Sequence, residues 1–264
     1  MEREIENLKE KPHVSYSAFS TFLSCSLKYY FRYIERAEVE RTSVSLPFGR
    51  AFHAVLSERA RKGADFTVED AKEDFAVYFR GETEVSENLS YKQDEDYWFW
   101  EQRGYDMLDV AFADWTDDYS VKSVAEAFSV EVPGLSVPLI GEFDLVVTDG
   151  GDEAIVDWKT ASAKWPAGKV QHDMQATAFI FAYQQLHGKK RPIFRFDVFT
   201  KAKTPAHHQF YTVRTQDELD RFVYIANRIE AAVNAGVFVP VESCMNCGEC
   251  AYGSRCKAVH RKAR

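Results

Sequence analysis

Apolar positions recur at two spacings along the chain. From residue 15 to about 115 they fall three and four apart, as on one face of a helix. From about 125 to 160 they alternate, as on a strand. Residues 1–14 read as a charged lead-in. Ser15-Tyr16-Ser17 offers an N-cap to a segment carrying Phe19, Phe22, Leu23, Tyr29, Tyr30 and Tyr33, with Cys25 inside it. Pro47-Phe48-Gly49 opens a second helix to about Lys62, with Phe52, Val55 and Leu56 on one side and His53 on its length. Thr67, with Asp70 three residues on, caps a third helix to about Arg80. The acidic stretch 81–96 reads as a solvated loop, and Tyr97 to about Trp115 as an aromatic-rich helix.

Strand character begins near Ala125 and runs through Phe128-Ser129-Val130-Glu131-Val132 into a hairpin. Its arms are Gly141-Glu142-Phe143-Asp144-Leu145-Val146-Val147 and Ala154-Ile155-Val156-Asp157-Trp158-Lys159, joined by Asp149-Gly150-Gly151-Asp152. Side chains alternate faces in a strand, so Asp157 and Lys159 share one face and Trp158 takes the other; an antiparallel partner brings Asp144 beside Asp157. The spacing then predicts a helix from Gly168 to about His187, with Gln171, Gln175, Phe179 and Tyr183 on one stripe. Two strands follow, Ile193–Thr200 and Gln209–Val213. A last helix, capped by Thr215 and Glu218, runs to about Ala235 and ends at Gly236. Helices, strands, helix, strands and helix in that order suggest a mixed α/β core with helical additions on the N-terminal side.

At 264 residues with 45% hydrophobic content, the chain is long enough for one large domain, or one domain with an appended lobe, and for a sizeable core. The net charge of −8 argues against a protein that coats nucleic acid by bulk charge, though not against an enzyme with a local basic groove. Basic residues gather at Lys189, Lys190, Arg191, Arg195, Lys201 and Lys203 and in the tail at Arg255, Lys257, Arg261, Lys262 and Arg264, where they could meet phosphates. No apolar run approaches membrane-spanning length, and the charged N-terminus lacks a secretory apolar stretch, so a cytoplasmic protein is expected. Four of the five cysteines crowd together as Cys244-x2-Cys247-x2-Cys250-x5-Cys256. In a reducing compartment that spacing points to zinc or an iron–sulfur cluster before disulfides, and Cys25 is an alternative fourth ligand to Cys244.

Two carboxylates and an ammonium at a sheet edge can hold a hard divalent cation and act on a phosphate. A single D-x-K on a strand is usually just a salt-bridged hairpin, and His53 alone is an ordinary helix residue. Together, and in order, the pieces resemble the RecB-like branch of the PD-(D/E)XK nuclease superfamily, in particular the iron–sulfur exonucleases that include CRISPR-associated ones and the AddB nuclease domain. The resemblance rests on Tyr16-Ser17-Ala18-Phe19-Ser20-Thr21-Phe22-Leu23-Ser24-Cys25, Gly49-Arg50-Ala51-Phe52-His53, Gly141-x-x-Asp144, Asp157-x-Lys159, Gln175 and Cys247-x2-Cys250-x5-Cys256. It implies a PD-(D/E)XK restriction-endonuclease-like α/β core, a mixed central sheet flanked by helices. A helical insertion at 63–125 would be added to that core. An iron–sulfur lobe would be formed by 236–264 with the Cys25 helix.

The same resemblance implies a Mg²⁺- or Mn²⁺-dependent deoxyribonuclease, an exonuclease on single strands or DNA ends, working in recombination, repair, replication or CRISPR adaptation, with partners or a second copy from such complexes. His53, Asp144 and Asp157 would bind the cation, Lys159 and Gln175 would complete the catalytic set with Asp144 and Asp157, and Cys25, Cys247, Cys250 and Cys256 would hold a [4Fe–4S] cluster. Two features depart from the family pattern. Phe179 stands where the Q-x-x-x-Y motif has tyrosine, and Cys244 is an extra cysteine. Two rival classes account for fewer of these residues: a catalytically silent nuclease-fold protein that binds DNA or a partner, and a zinc-binding interaction module.

Overall fold

The computed structural model describes residues 4–149, 151–188, 191–243 and 247–262. The N-terminal half is helical: α1 (Glu4–Lys9), a short strand β1 (Val14–Ser15), α2 (Tyr16–Ser24) and α3 (Ser26–Tyr29), which runs on into a π turn at Tyr30–Ile34. Strand β2 (Thr42–Ser43), α4 (Ser45–Lys62), α5 (Val68–Glu84), strand β3 (Leu89–Ser90) and α6 (Tyr97–Ala113) follow. Caps fix several starts. The Ser15 hydroxyl accepts from Ala18 N–H, Thr67 and Asp70 form a reciprocal capping box, and Asp96 caps α6. Helix α5 extends past Arg80 to Glu84, and Leu89–Ser90 pairs in parallel with Thr42–Ser43, so the acidic stretch is not wholly loop.

The second half builds the sheet from β4 (Ser120–Val130), β5 (Leu139–Asp149), β6 (Asp152–Ala161), β7 (Ile193–Thr200) and β8 (His207–Thr212). Between and after these strands come α7 (Met174–His187), α8 (Gln216–Asn234) and α9 (Gly253–Lys262). Strand β4 starts five residues before the alternation in sequence suggests. Helix α7 starts six residues later than expected, because Asp173 is its N-cap and accepts from Gln175 N–H; Gln171 therefore lies off the helix. Among the described residues, the order is β1-β5-β6-β7-β8 with β4 also on β5, in a six-stranded mixed sheet. One face packs on α2, α7 and α8 through Phe19, Phe179, Tyr183 and Phe222. The other packs on α4, α5 and α6 through Phe48, Phe52, Phe75, Trp100 and Trp158.

The sheet forks at β5. Strand β4 lies antiparallel along one edge of it from Leu139 to Thr148. The opposite edge is shared: β1 pairs in parallel with Leu139 and Ile140, and β6 pairs antiparallel with Leu145 to Asp149. Residues 141–144 lie in the gap between these two neighbours. The strand also changes face there. Leu139 and Phe143 join the α7-side core, whereas Leu145 and Val147 join the α4-side core, although a regular strand would keep positions 143, 145 and 147 on one side. Ala125 sits level with Asp144, between the Val124–Leu145 and Glu126–Phe143 pairs. Its φ of 51° is left-handed backbone, and it marks the break in alternation on β4.

Gly141 has a packing reason as well. It faces Phe128 across the strands, and a Cβ on it would stand 2.4 Å from that ring. Phe128 in turn stacks on Phe143 with centroids 4.6 Å apart. Gly141→Ala is expected to destabilise the fold by about 1–3 kcal/mol through overpacking, read as a lower urea midpoint at unchanged m-value.

Candidate active site

The fork gathers the ionisable side chains from both layers. From the hairpin come Asp144, Asp157 and Lys159. The β5–β6 pairing stops at Leu145–Val156, and beyond it Trp158 N–H donates to Asp144 Oδ2 at 2.9 Å. A carboxylate thus stands where the ladder ends. From α4, His53 Nδ1 lies 3.4 Å from the same Asp144 oxygen, and its ring meets Trp158 edge-on at 6.1 Å. From α7, Gln175 Nε2 donates to Asp157 Oδ1 at 2.6 Å. Lys159 Nζ lies 2.6 Å from Asp157 Oδ2 as an ion pair; that oxygen is buried and makes no hydrogen bond of good geometry. Asp157 and Lys159 share a face, and Trp158 is buried in the α4-side core.

The two carboxyls are pushed apart in acidity. Burial raises Asp157, Lys159 opposes that, and the Asp144 charge adds to it, so the carboxyl is pushed up to about 6. Burial also works to raise Asp144, but His53, Lys159 and the Trp158 N–H together outweigh it and hold Asp144 below the usual carboxylate range. Burial pulls Lys159 down, yet Asp157 and Asp144 overcome it and keep the ammonium charged.

Two further residues, to which sequence reasoning assigns no site role, enter the site. Asp173 Oδ1 accepts from Gln175 N–H at 2.9 Å and lies 3.5 Å from Tyr16 OH, while Oδ2 meets Lys169 Nζ at 3.1 Å. Burial pushes the Tyr16 phenol up to about 12, with Asp173 and Asp157 adding to the effect. Tyr16 follows directly on β1, the strand that closes the far side of the fork. The signal available in the sequence was the Asp173-x-Gln175 cap.

The Q-x-x-x-Y departure resolves into packing. Phe179 sits among the rings of Phe128, Phe143 and Phe194. Tyr183 does not replace the missing phenol: its hydroxyl donates to Glu153 Oε2 at 2.7 Å and accepts from Lys122 Nζ at 2.9 Å. The basic run also splits. Lys189 and Lys190 lie outside the described residues, and Arg195 is not a surface cation. Its guanidinium pairs with buried Asp197 at 3.0 Å, and His207 lies 3.5 Å from Asp197 on its other side. In the tail, Arg255 is bonded to Glu35.

Cys25, Cys247, Cys250 and Cys256 gather apart from the two sheet cores, where Leu27, Phe31 and Tyr252 form a small third core touched by Cys25, Cys250 and Cys256. Burial raises the Cys256 thiol, and the thiols of Cys25, Cys250 and Cys247 are close enough to raise it further. Cys244 lies outside the described residues. Among the described residues no three His, Cys, Asp or Glu side chains close on one point as metal ligands, in either place. The acids are held by His53, Lys159, Gln175 and the Trp158 N–H. The donor set still suits a hard cation: two carboxylates, one with a buried oxygen lacking a hydrogen bond, and an imidazole. No described helix is long and apolar enough to cross a membrane.

A family model described as the PD-(D/E)XK nuclease superfamily matches residues 13–257. Among solved structures, one titled "putative exonuclease" from Eubacterium rectale is 16% identical and covers 96% of this chain and 90% of its own, with a TM-score of 0.59. Another, titled SSO0001, is 12% identical over 92% and 95% of the two chains, with a TM-score of 0.38. The first likeness is one of fold. No curated protein matches.

Proposed function

Since the chain belongs to the PD-(D/E)XK nuclease superfamily, we propose that it is a metal-dependent DNA exonuclease that hydrolyses phosphodiester bonds in single strands or at DNA ends. The observation that carries this reading is the meeting of His53, Asp144, Asp157, Lys159 and Gln175 at the fork of the sheet. His53, Asp144 and Asp157 would hold Mg²⁺ or Mn²⁺. The ion supplies positive charge to the scissile phosphate and makes a water more acidic.

The chain's own groups do the rest. The Trp158 N–H fixes the Asp144 carboxylate, and Gln175 fixes Asp157 by one oxygen and leaves the other facing Lys159. The Lys159 ammonium pairs with Asp157 and feels the charge of Asp144, and it is the donor available to orient the attacking water and to stabilise charge developing on the phosphate. A [4Fe–4S] cluster of structural role on Cys25, Cys247, Cys250 and Cys256 belongs to the same reading. It rests on the family resemblance, with Cys25, Cys250 and Cys247 each near enough to raise the Cys256 thiol.

Cation binding is expected to depend on pH through Asp157. With its folded pKa near 6 and an unfolded value of about 3.9, the folded chain binds more protons than the unfolded one between those values. Stability of the ion-free protein therefore falls, by up to about 3 kcal/mol from this group, as pH rises from about 4 to 6. Asp144, held low, gives no opposing change in that window, because its contribution is lost only below it. An ion that takes the ionised carboxylate reverses the loss. The rise in Tm on adding Mn²⁺ is expected to grow from pH 5 to pH 7, and Asp157→Asn to lessen that growth, leaving the part due to proton competition at the His53 imidazole; a pH-independent increment in the wild type would place the ion elsewhere.

The action on ends is tested with linear and covalently closed circular single-stranded DNA of one sequence, incubated with Mn²⁺. An exonuclease consumes only the linear form. Equal loss of both forms would make it an endonuclease, and loss of neither would remove the enzymatic reading.

A further inference from the structure

We propose that Lys201 is a substrate-phosphate site, binding a backbone phosphate one or two nucleotides from the scissile bond; the inference rests on the nuclease reading above. Lys201 follows directly on β7, and its N–H donates to Ala161 O at 2.7 Å, which prolongs the β6–β7 ladder beyond its last pair. Its ammonium lies over two rings, 5.4 Å from the centroid of Trp100 and 5.8 Å from that of Phe48. Both rings are buried, so the side chain is held between α4 and α6 in one place. Among the described residues no carboxylate comes within ion-pairing distance of it. The charges that act on it are Lys92, which repels it, and Glu95, which attracts it and one of whose oxygens is taken by Trp100 Nε1 at 3.0 Å. Burial, followed by Lys92, pulls the Lys201 ammonium down to about 8. A largely buried cation between aromatic rings, with no carboxylate in ion-pairing distance among the described residues, is a site that an anion completes.

Its place in the fold says which anion. Strands β6 and β7 are parallel, and ligands of α/β sheets bind beyond the carboxyl ends of such strands. Lys159 pairs with Val198, so Lys201 lies three positions further toward that end, about 10 Å along the strands. On α4, Phe48 precedes His53 by five residues, about 7.5 Å of helix axis. The residue after Phe48 confirms the closeness of the helix to β6: a Cβ on Gly49 would lie 3.6 Å from Thr160 Oγ1. Lys201 is therefore displaced from both His53 and Lys159 in the same direction, by a distance suited to a neighbouring phosphate of the strand being cut. Sequence alone does not single it out from the basic run, whose Arg195 the fold turns inward.

The test measures affinity of a short fluorescent single-stranded oligonucleotide by anisotropy in EDTA, over a range of salt, for the wild type, Lys201→Met and Lys201→Arg. Lys201→Met keeps the apolar stem over the rings and is expected to bind about tenfold more weakly, with the slope of log affinity against log salt smaller by about 0.7, the value for one phosphate contact on a single strand. Lys201→Arg is expected to stay within about threefold of the wild type. With Mn²⁺, Lys201→Met should raise KM about tenfold and leave kcat within about threefold, as loss of uniform binding does. A neutral methylphosphonate at one linkage near the cut should weaken the wild type and leave Lys201→Met unaffected. If the wild type cleaves and Lys201→Met, equally stable, matches it in affinity and salt slope, this inference falls and the nuclease reading stands. If the wild type neither binds nor cleaves, the nuclease reading falls and takes this one with it.

Discussion

Lys159→Met is expected to lower the rate of phosphodiester cleavage by about 10²–10⁴-fold, the range for losing a positioned proton-transfer or charge-stabilising group. Lys159 is the cation shared by the two carboxyls, 2.6 Å from Asp157 Oδ2 and close enough to Asp144 to lower its pKa. Without it, each carboxylate loses an opposing charge, and Asp157, already raised by burial and by Asp144, moves higher still. Methionine preserves most of the stem, and 29% of the Lys159 side chain is exposed, so the fold should survive the change. The expected signature is a low single-turnover rate at saturating Mn²⁺ with oligonucleotide affinity within about threefold of wild type. Undiminished cleavage by a folded Lys159→Met protein would remove this residue from the chemistry.

The second large effect is expected from Cys25→Ala. Cys25 is a hinge of the chain: its backbone is extended, at φ −163° and ψ 105°, and it ends α2 and begins α3. Its thiol accepts from Val241 N–H at 3.4 Å, while Ser26 and Leu27 bond to Val239. Glu40 accepts the N–H groups of Ser254 and Arg255 at the start of α9, where a helix favours negative charge. These bonds join residues 25–40 to the C-terminal stretch, but the core between them is small, with Leu27, Phe31 and Tyr252 its buried members. On the proposed cluster reading, a lobe of that size would lean on the metal centre, and removing one ligand would cost about 3 kcal/mol or more. Cys25→Ala should lose iron and its visible absorbance, and proteolysis between 236 and 243 should quicken about a hundredfold. Full iron content in that variant would point to another fourth ligand; zinc in place of iron in the wild type would replace the cluster with a zinc site.

The hairpin was legible because its signals are local. The Asp149–Asp152 pair fixes the register, and strict alternation puts Asp157 and Lys159 on one face. Gln175 was legible as part of a motif, and its amide does reach Asp157. The fork was not. It depends on a two-residue strand at Val14–Ser15 arriving on the edge of β5 that β6 leaves open, and no local pattern records that meeting. The face change at Asp144 depends on a left-handed Ala125 on the neighbouring strand, an uncommon conformation for alanine. Tyr16 was missed for the same reason, since it joins the site through its tertiary contact with Asp173, whose own bond to Gln175 N–H is a local helix cap. Arg195 misled in the other direction. Its basic neighbours in sequence suggested a surface, whereas strand alternation turns it inward against Asp197.

The central claim is that the acids at the fork hold the cation used to cut DNA. It is tested most directly by incubating wild type and Asp157→Asn with end-labelled single-stranded DNA, with Mn²⁺ and with EDTA. Progressive release of labelled nucleotide by the wild type with Mn²⁺ alone, and none above background from Asp157→Asn, is the predicted result. Cleavage that persists in EDTA, or that Asp157→Asn performs as fast as the wild type, would contradict it.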